Sequence, residues 1–416
     1  MRRIPALSLL ALLLALPTLA RAEVVAREGE GWLERRDDGQ LVLHLKGSPY
    51  QMGFQHGKLL KDMVRANMER IADNQGPLGD SDEYLLYKMM RPAMHDQLRP
   101  HIPARLAEEM RGVAEGAEVP YEYVEAGNLF PAAFHCSGIA LKGKATHDGS
   151  LYHVRILDYM TKAGLQDAAL VIIHEPDADR HRWLNVGFAG FVGSVTGMND
   201  AQVAIGEMGG QGLGEWDGVP MAFLIREALE RSSTMDEALN VFQTSARTCE
   251  YYYVISDGKT RDAIGLWCTP EQVQTMRPGE NYALFEKLKP QAGAGGGKAF
   301  AGDLDVDVRP HRILFKEQGG KVRGFMALQP EDSLVISGPD RYEHFMERLD
   351  AEYGQVDETK LQEMCKRPVS MGSNLHVAIF HPETLEVWVA VADAEGHPAC
   401  DQTYYRYSLL EEGPKK

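Results

Sequence analysis

Phe134-His135-Cys136-Ser137-Gly138, followed by Asp148-Gly149-Ser150-Leu151-Tyr152-His153-Val154-Arg155-Ile156-Leu157-Asp158, is the stretch that decides how this 416-residue chain is read. Asp148-Gly149 is a strong two-residue hairpin signal, and β-prone residues lie on both sides of it. Folding back about that turn predicts Cys136 opposite residues 159 to 161, one or two positions from Asp158, with Arg155 further in. A thiol, a cation able to lower its pKa and a carboxylate able to orient an amine then share a small volume. Arg155 and Asp158 are three apart, so a regular strand would send them to opposite faces. They converge if the strand bends or ends there.

The two ends of the chain bound its class. Arg2 and Arg3 precede an almost unbroken apolar run from Ile4 to Leu19, and Ala20-Arg21-Ala22 is a small-x-small cleavage site. Residues 1–22 therefore read as a signal peptide, and the expectation is a periplasmic or secreted protein without stable membrane insertion. The formal charge of −16 makes nucleic acid and anionic lipid poor partners. Five cysteines in an exported chain leave at least one unpaired. Cys249 and Cys268 flank a predicted hairpin and could face each other, Cys365 and Cys400 could form a second disulfide, and Cys136 is left over.

Along the chain, residues 24 to 46 read as a hairpin or edge strand. Ser48 caps a helix, with Pro49 at its first position and Gln51 completing a capping box. Further helices are predicted at 82 to 97, 103 to 115 and 120 to 128, before a strand-rich stretch from 137 to 208 that includes a hairpin turning at Asn199-Asp200. Helices at 219 to 232 and 235 to 246 precede the Tyr251–Trp267 hairpin. Residues 291 to 302 form a Gly/Ala-rich loop whose Gly-Gly-Gly-Lys lacks the remaining phosphate-loop residues. Helices at 309 to 318, 339 to 353 and 357 to 366 and a hairpin turning at Pro382-Glu383 complete the chain. This alternation argues for an α+β fold of two packed antiparallel sheets covered by helices.

The run from Cys136 to Asp158 resembles the N-terminal-nucleophile (Ntn) hydrolases, and more closely peptidase family C45, the acyl-CoA:6-aminopenicillanate acyltransferase group, with its relatives the choloylglycine hydrolases. Arg155-Ile156-Leu157-Asp158 matches their Arg-x-x-Asp motif. Gly47-Ser48-Pro49-Tyr50-Gln51-Met52-Gly53-Phe54-Gln55-His56-Gly57 is similar to the G-x-P-x-x-x-G-x-x-H-G stretch of the C45 group. The resemblance runs from about residue 47 to 408. It implies a four-layer αββα Ntn-hydrolase fold, an N-terminal helical segment over 23–135 and a catalytic domain over 136–416. Self-cleavage at His135–Cys136 would separate the two as chains that stay associated. It further implies that Asn199, in a Gly-x-Asn turn, and Asn281, where the families carry Thr-Asn-x, serve the oxyanion, and that Arg341 binds substrate. For Arg341 a solvated helix-face arginine is the competing reading.

An internal cysteine has no α-amine to use as a base. Cleavage would release one with a pKa of ~7.7–8.0, suited to proton transfer near neutral pH. The implied activity is hydrolysis of a linear N-acyl amide through a thioester, or transfer of its acyl group, with a small-molecule substrate and no cofactor. A catalytically silent secreted binding protein that kept the fold is the alternative from another class. The fourteen histidines are scattered, with no His-x-x-x-His or Cys-x-x-Cys, so no metal site is assigned. His56 is expected to pack or cap within the N-terminal helical block.

Overall fold

The most central strands are buried throughout, because each is covered on both faces. Every residue of Ser137–Leu141 and of Tyr152–Asp158 is buried, whereas Glu23–Glu28 alternates between half-buried and exposed side chains at the rim. The computed structural model describes residues 22–73, 82–129, 136–159, 161, 164–177, 179–210, 214–285, 305–317 and 319–411. Residues 1–21, His135 and the whole Gly/Ala-rich stretch 291–302 lie outside them.

Elements are numbered in chain order. A ten-stranded sheet runs Glu23–Glu28 (β1), Gly31–Arg35 (β2), Leu41–Gly47 (β3), Ala169–Pro176 (β6), Trp183–Phe188 (β7), Thr196–Asn199 (β8), Val203–Gly209 (β9), Tyr251–Asp257 (β10), Asp262–Cys268 (β11) and Val273–Met276 (β12). Its one parallel pairing joins β3 to β6. A six-stranded sheet runs Ser333–Ile336 (β17), Ser137–Leu141 (β4), Tyr152–Asp158 (β5), Asn374–His381 (β18), Glu386–Val391 (β19) and Tyr405–Ser408 (β20). The two sheets stack face to face. Glycines at the contact remove the bulk that would hold them apart: a Cβ on Gly138 would lie 2.5 Å from the Met208 sulfur, and one on Gly265 2.9 Å from Ile336 Cδ1.

Helices complete the layers. Pro49–Leu59 (α1), Lys61–Asp73 (α2), Asp82–Leu98 (α3), Ala104–Ala117 (α4) and Tyr121–Asn128 (α5) precede Cys136. Met221–Arg231 (α6) and Met235–Thr244 (α7) pack on the ten-stranded sheet. Glu358–Met364 (α9) packs on the six-stranded one, with Pro339–Glu352 (α8) beside it. The four-layer αββα expectation holds. Each predicted helix up to residue 246 has its counterpart, as do those near 339 and 357.

Two expectations fail. Residues 309 to 318 were assigned to a helix, but Arg312–Lys316 (β15) is a strand. Arg312 and Leu314 point inward while Ile313 and Phe315 are half-buried, and pairing with Val322–Ala327 (β16) outweighs any helical tendency. With Tyr282–Phe285 (β13) and Asp305–Val308 (β14) these form a third, four-stranded sheet. The disulfides are also absent: all five cysteines are free and buried. Cys268 pairs with Tyr251, so Cys249 lies two residues beyond the register; it takes a left-handed φ of 48° and turns its thiol to the Glu215 carbonyl. Cys365 and Cys400 sit within electrostatic reach of one another as thiols.

The G-x-P-x-x-x-G-x-x-H-G stretch has a physical explanation. Gly47 has φ +116°, and Ser48 and Gln51 form the capping box around Pro49. Gly53 and Gly57 meet Gly112 and Gly116 of α4 so closely that backbone touches backbone. A Cβ on Gly57 would lie 2.3 Å from the Val113 carbonyl oxygen. Gly57→Ala should therefore force the helices apart and cost about 1–3 kcal/mol, read as a lower midpoint in chemical denaturation.

His174 on β6 is fully buried, stacked on Trp183 at 4.2 Å with neither ring nitrogen hydrogen-bonded to a described residue. Burial first, and then the nearby Arg226, hold it far below its ordinary 6.5. The folded ring stays neutral while the unfolded one protonates, so stability is lost as pH falls below about 6.5. His174→Phe should remove that loss. Relative to the wild-type protein it should gain up to about 2 kcal/mol between pH 8 and pH 5, read from denaturation curves at the two values.

Candidate active site

Cys136 stands at the mouth of β4, where strand ends from both sheets converge. Ser137 pairs with Ile156 and Gly138 with Arg155, which sets Cys136 opposite residue 157 and beside Asp158. The expected facing residues, 159 to 161, are corrected by two or more positions. The turn is not the tight Asp148-Gly149 hairpin but a ten-residue connection, residues 142–151. Asp332 receives the backbone N–H of Lys144, Thr146 bridges to Val356, and Glu383 receives the N–H of Leu151. Those anchors hold the connection open and shift the register.

Arg155 and Asp158 do come together around the thiol. Opposite Asp158, β18 carries a bulge: Asn374 pairs with Asp158 and His376 with Leu157, leaving Leu375 over. Arg155 points between the sheets onto Gly206, where a Cβ would meet its side chain at 3.1 Å. Its guanidinium donates to the Ile156 carbonyl and to the Glu207 carboxylate, the latter at 3.2 Å. Asp158 accepts from the Met371 backbone N–H at 3.0 Å and from Arg341, with the Asn374 amide close enough to favour its charged form.

Arg341 departs from the solvated helix-face reading. It lies in the first turn of α8, and its other nitrogen donates to the Cys136 carbonyl at 2.9 Å. One planar guanidinium thus joins the proposed nucleophile's backbone to the proposed amine-binding carboxylate. It is part of the site and not a solvated surface residue.

Asn199 is placed elsewhere. Its amide donates to the Leu229 and Ser232 carbonyls at 2.8 and 2.7 Å and accepts from Ala201 and Val203 at 3.1 and 2.9 Å. All its hydrogen-bonding capacity fastens the β8–β9 turn to the end of α6. Met208, the part of β9 beneath Gly138, is five residues from Val203, roughly 15 Å along the strand. Asn281 stands exposed just before β13.

Glu207 and Asn374 were missed. Glu207 left a signal, a lone carboxylate in the otherwise apolar run Val203-Ala204-Ile205-Gly206-Glu207-Met208. Asn374 left none, since its neighbours are brought to it by the bulge. It donates to the Leu157 and His376 carbonyls at 3.0 and 3.2 Å and accepts from the Cys400 N–H at 2.9 Å.

Electrostatics around the sulfur are finely opposed. Burial pushes the Cys136 thiol up to about 11; Arg155 pulls it down, Glu207 and Asp158 push it up, and the Asp158 backbone N–H donates to it. Burial raises Glu207 to about 7 in spite of the adjacent Arg155, and raises Asp158 in spite of Arg341. The thiol is therefore neutral near pH 7. Beside it, Leu157 and Tyr159 open onto an apolar cleft lined by Leu165, Phe188, Phe191 and Met221 among others. Of the described carboxylate, thiol and imidazole side chains, Asp393, Glu395 and His397 are grouped closely enough to share a cation, and they lie on the loop after β19.

Parts of the chain are similar to known proteins. Residues 145–283, which include Arg155, Asp158 and Glu207, match the family model of acyl-coenzyme A:6-aminopenicillanic acid acyl-transferase. Over those residues this chain is similar to that family. An uncharacterized protein of Archaeoglobus fulgidus is 27% identical over 278 residues, covering 58% of this chain and 45% of that one. The acid ceramidase of Balaenoptera acutorostrata scammoni is 27% identical over 199 residues, 42% of this chain and 49% of its own. The chain spans about half the length of the curated relatives it matches. Among solved structures, a Caenorhabditis elegans N-acylethanolamine-hydrolyzing acid amidase ortholog aligns with a TM-score of 0.40 at 14% identity, covering 66% of this chain and all of that one.

The opposed charges around Cys136 predict opposite effects on one observable. Glu207→Gln removes an anion that raises the Cys136 pKa and should speed its alkylation by iodoacetamide several-fold at pH 8. Arg155→Gln removes the cation that lowers it and should slow alkylation. Peptide mass mapping at Cys136 separates its rate from the other four thiols; equal rates in both variants would contradict this electrostatic account.

Proposed function

We propose that this chain is an exported, self-processing cysteine hydrolase of N-acyl amides, with Cys136 as nucleophile. The carrying observation is Arg341 holding both the Asp158 carboxylate and the Cys136 carbonyl, a placement that fixes the cysteine's main chain next to an amine acceptor. The acyl-transferase match over 145–283 and the amidase implied by the name acid ceramidase support the same chemistry.

In the unprocessed chain the Cys136 thiol attacks the His135 carbonyl. The peptide nitrogen leaves as the α-amine of Cys136, and water hydrolyses the resulting thioester to free residue 135 as a carboxylate. The new amine, with an ordinary pKa of ~7.7–8.0, serves as the base that accepts the proton of a thiol whose pKa burial raises to about 11. Asp158 receives the amine through a charge-assisted hydrogen bond. The thiol then attacks the substrate carbonyl, its proton passing through the amine to the leaving nitrogen. Water resolves the thioester, releasing the acid and returning the proton to sulfur. A substrate amine in place of water would make the same step an acyl transfer. Asn281 is retained as an oxyanion donor in this reading. Asn199 is assigned to holding the β8–β9 turn.

Intact-mass analysis and N-terminal sequencing of the purified protein should give a chain beginning at Cys136. Cys136→Ala should remain one chain and lose hydrolysis of N-acyl amides by at least about 10³-fold, judged against unchanged circular dichroism. A folded Cys136→Ala protein hydrolysing at the wild-type rate would place the chemistry elsewhere.

A further inference from the structure

The apolar cleft beside Leu157 and Tyr159 has one wall made of the segment Phe188-Ala189-Gly190-Phe191-Val192-Gly193. This is irregular backbone with buried polar groups, each of which needs a partner. Those partners come largely from the N-terminal segment. Asn67 of α2 donates to the Ala189 carbonyl at 2.8 Å. Gly190 donates its N–H to Nε2 of His56 on α1 at 2.9 Å. Asn128 of α5 donates to the Gly190 carbonyl at 2.9 Å and accepts the Val192 N–H at 2.7 Å. Met68 of α2 packs beneath Gly190, whose φ of +91° leaves no room for a Cβ, 2.7 Å from the Met68 methyl. His56, Asn67 and Asn128 are all at least 95% buried.

The wall could have been held by its own domain, and in part it is: Arg226 reaches the Val192 carbonyl and Asn185 the Gly193 carbonyl at 3.1 Å. The stretch Ala189–Gly190, however, is taken up mainly by three helices that precede Cys136. His56 is suited to its task at any working pH. Burial and the nearby Arg226 hold it down to about 3, so Nε2 remains an acceptor for the Gly190 N–H.

We propose that His56, Asn67 and Asn128 are positioning residues that set acyl-chain selectivity, by fixing the 188–193 wall of a cleft that receives the apolar acyl chain of the substrate. The inference rests on the reading of Cys136 as the nucleophile of an N-acyl amidase. The cleft opens at Leu157 and Tyr159, on either side of Asp158, so a carbonyl at Cys136 would direct its chain along Phe188 and Phe191, which pack edge to face at 5.8 Å. The cleft offers apolar contact and few polar groups, which favours an alkyl or aryl chain over a charged one. The N-terminal segment then does more than mask the nucleophile before cleavage. It continues to shape the site after cleavage, and the two chains must stay docked.

Two measurements test this, one of them independent of catalysis. Binding of the fluorescent fatty acid cis-parinaric acid is titrated in the Cys136→Ala background with Asn67→Ala, His56→Leu and His56→Gln. Asn67→Ala and His56→Leu should weaken binding about tenfold. His56→Gln, whose amide oxygen can accept the Gly190 N–H, should stay within about threefold; a role in core filling alone would favour Leu over Gln. With Cys136 restored, the ratio of kcat/KM for dodecanoyl over butanoyl amides should fall about tenfold in Asn67→Ala, chiefly through KM on the long substrate. Unchanged binding and an unchanged ratio in folded variants overturn the proposal. If parinaric acid binds as expected but the wild-type protein hydrolyses none of the amides, the amidase reading fails while the cleft stands.

Discussion

The ion pair of Arg155 with Glu207 is the constraint around which the two sheets are arranged. Both side chains have zero exposure, and they come from facing strands, β5 and β9, of different sheets. A lone buried charge of either sign would cost several kcal/mol, so neither residue can be placed without the other. Gly206 gives the guanidinium its room, and the Ile156 carbonyl takes one of its remaining donors. Such a pair contributes little net stability. What it imposes is a relative position of the sheets, and Cys136 lies at the edge of that fixed contact.

A second link runs from the six-stranded sheet to its covering helix. Arg341 reaches from the first turn of α8 to Asp158 and to the Cys136 carbonyl, while the Met371 N–H and Asn374 approach the same carboxylate from the other side. Arg341 and the 371–374 segment, both distant from Asp158 in sequence, thereby converge on one carboxylate. The arrangement fixes the main chain around Cys136, while burial keeps its sulfur neutral.

A third set of interactions belongs to the N-terminal helices. Gly53 and Gly57 against Gly112 and Gly116 bring α1 and α4 into backbone contact, and that approach carries His56 inward. Glu109 of α4 meets Arg226 of α6 in a two-pronged pair at 2.8 and 2.6 Å, and Arg226 also lies over Trp183. The glycine-and-histidine motif near residue 50 is thus a packing device whose histidine ends on the Gly190 N–H, outside the helical block in which it was expected to stay.

Patterns with a short-range physical cause were legible in the sequence. The capping residues Ser48 and Gln51, the helical periods of α4 to α7, the hairpins at 257–262 and 382–385 and the grouping of Cys136 with Arg155 and Asp158 all follow from neighbouring residues. The tertiary structure decided whatever depends on partners far along the chain. Anchors from Asp332, Val356 and Glu383 lengthened the first hairpin and moved its register. A bulge in β18 turned Asp158 toward Arg341, and sheet pairing made a strand of Arg312–Lys316. Two residues of register separated Cys249 from Cys268. Asn199 shows the limit of motif matching, because a turn asparagine looks the same whether its amide faces a substrate or, as here, two helix-end carbonyls. Hydrogen-bond capacity is a local property of a side chain; the group that fills it is a property of the fold.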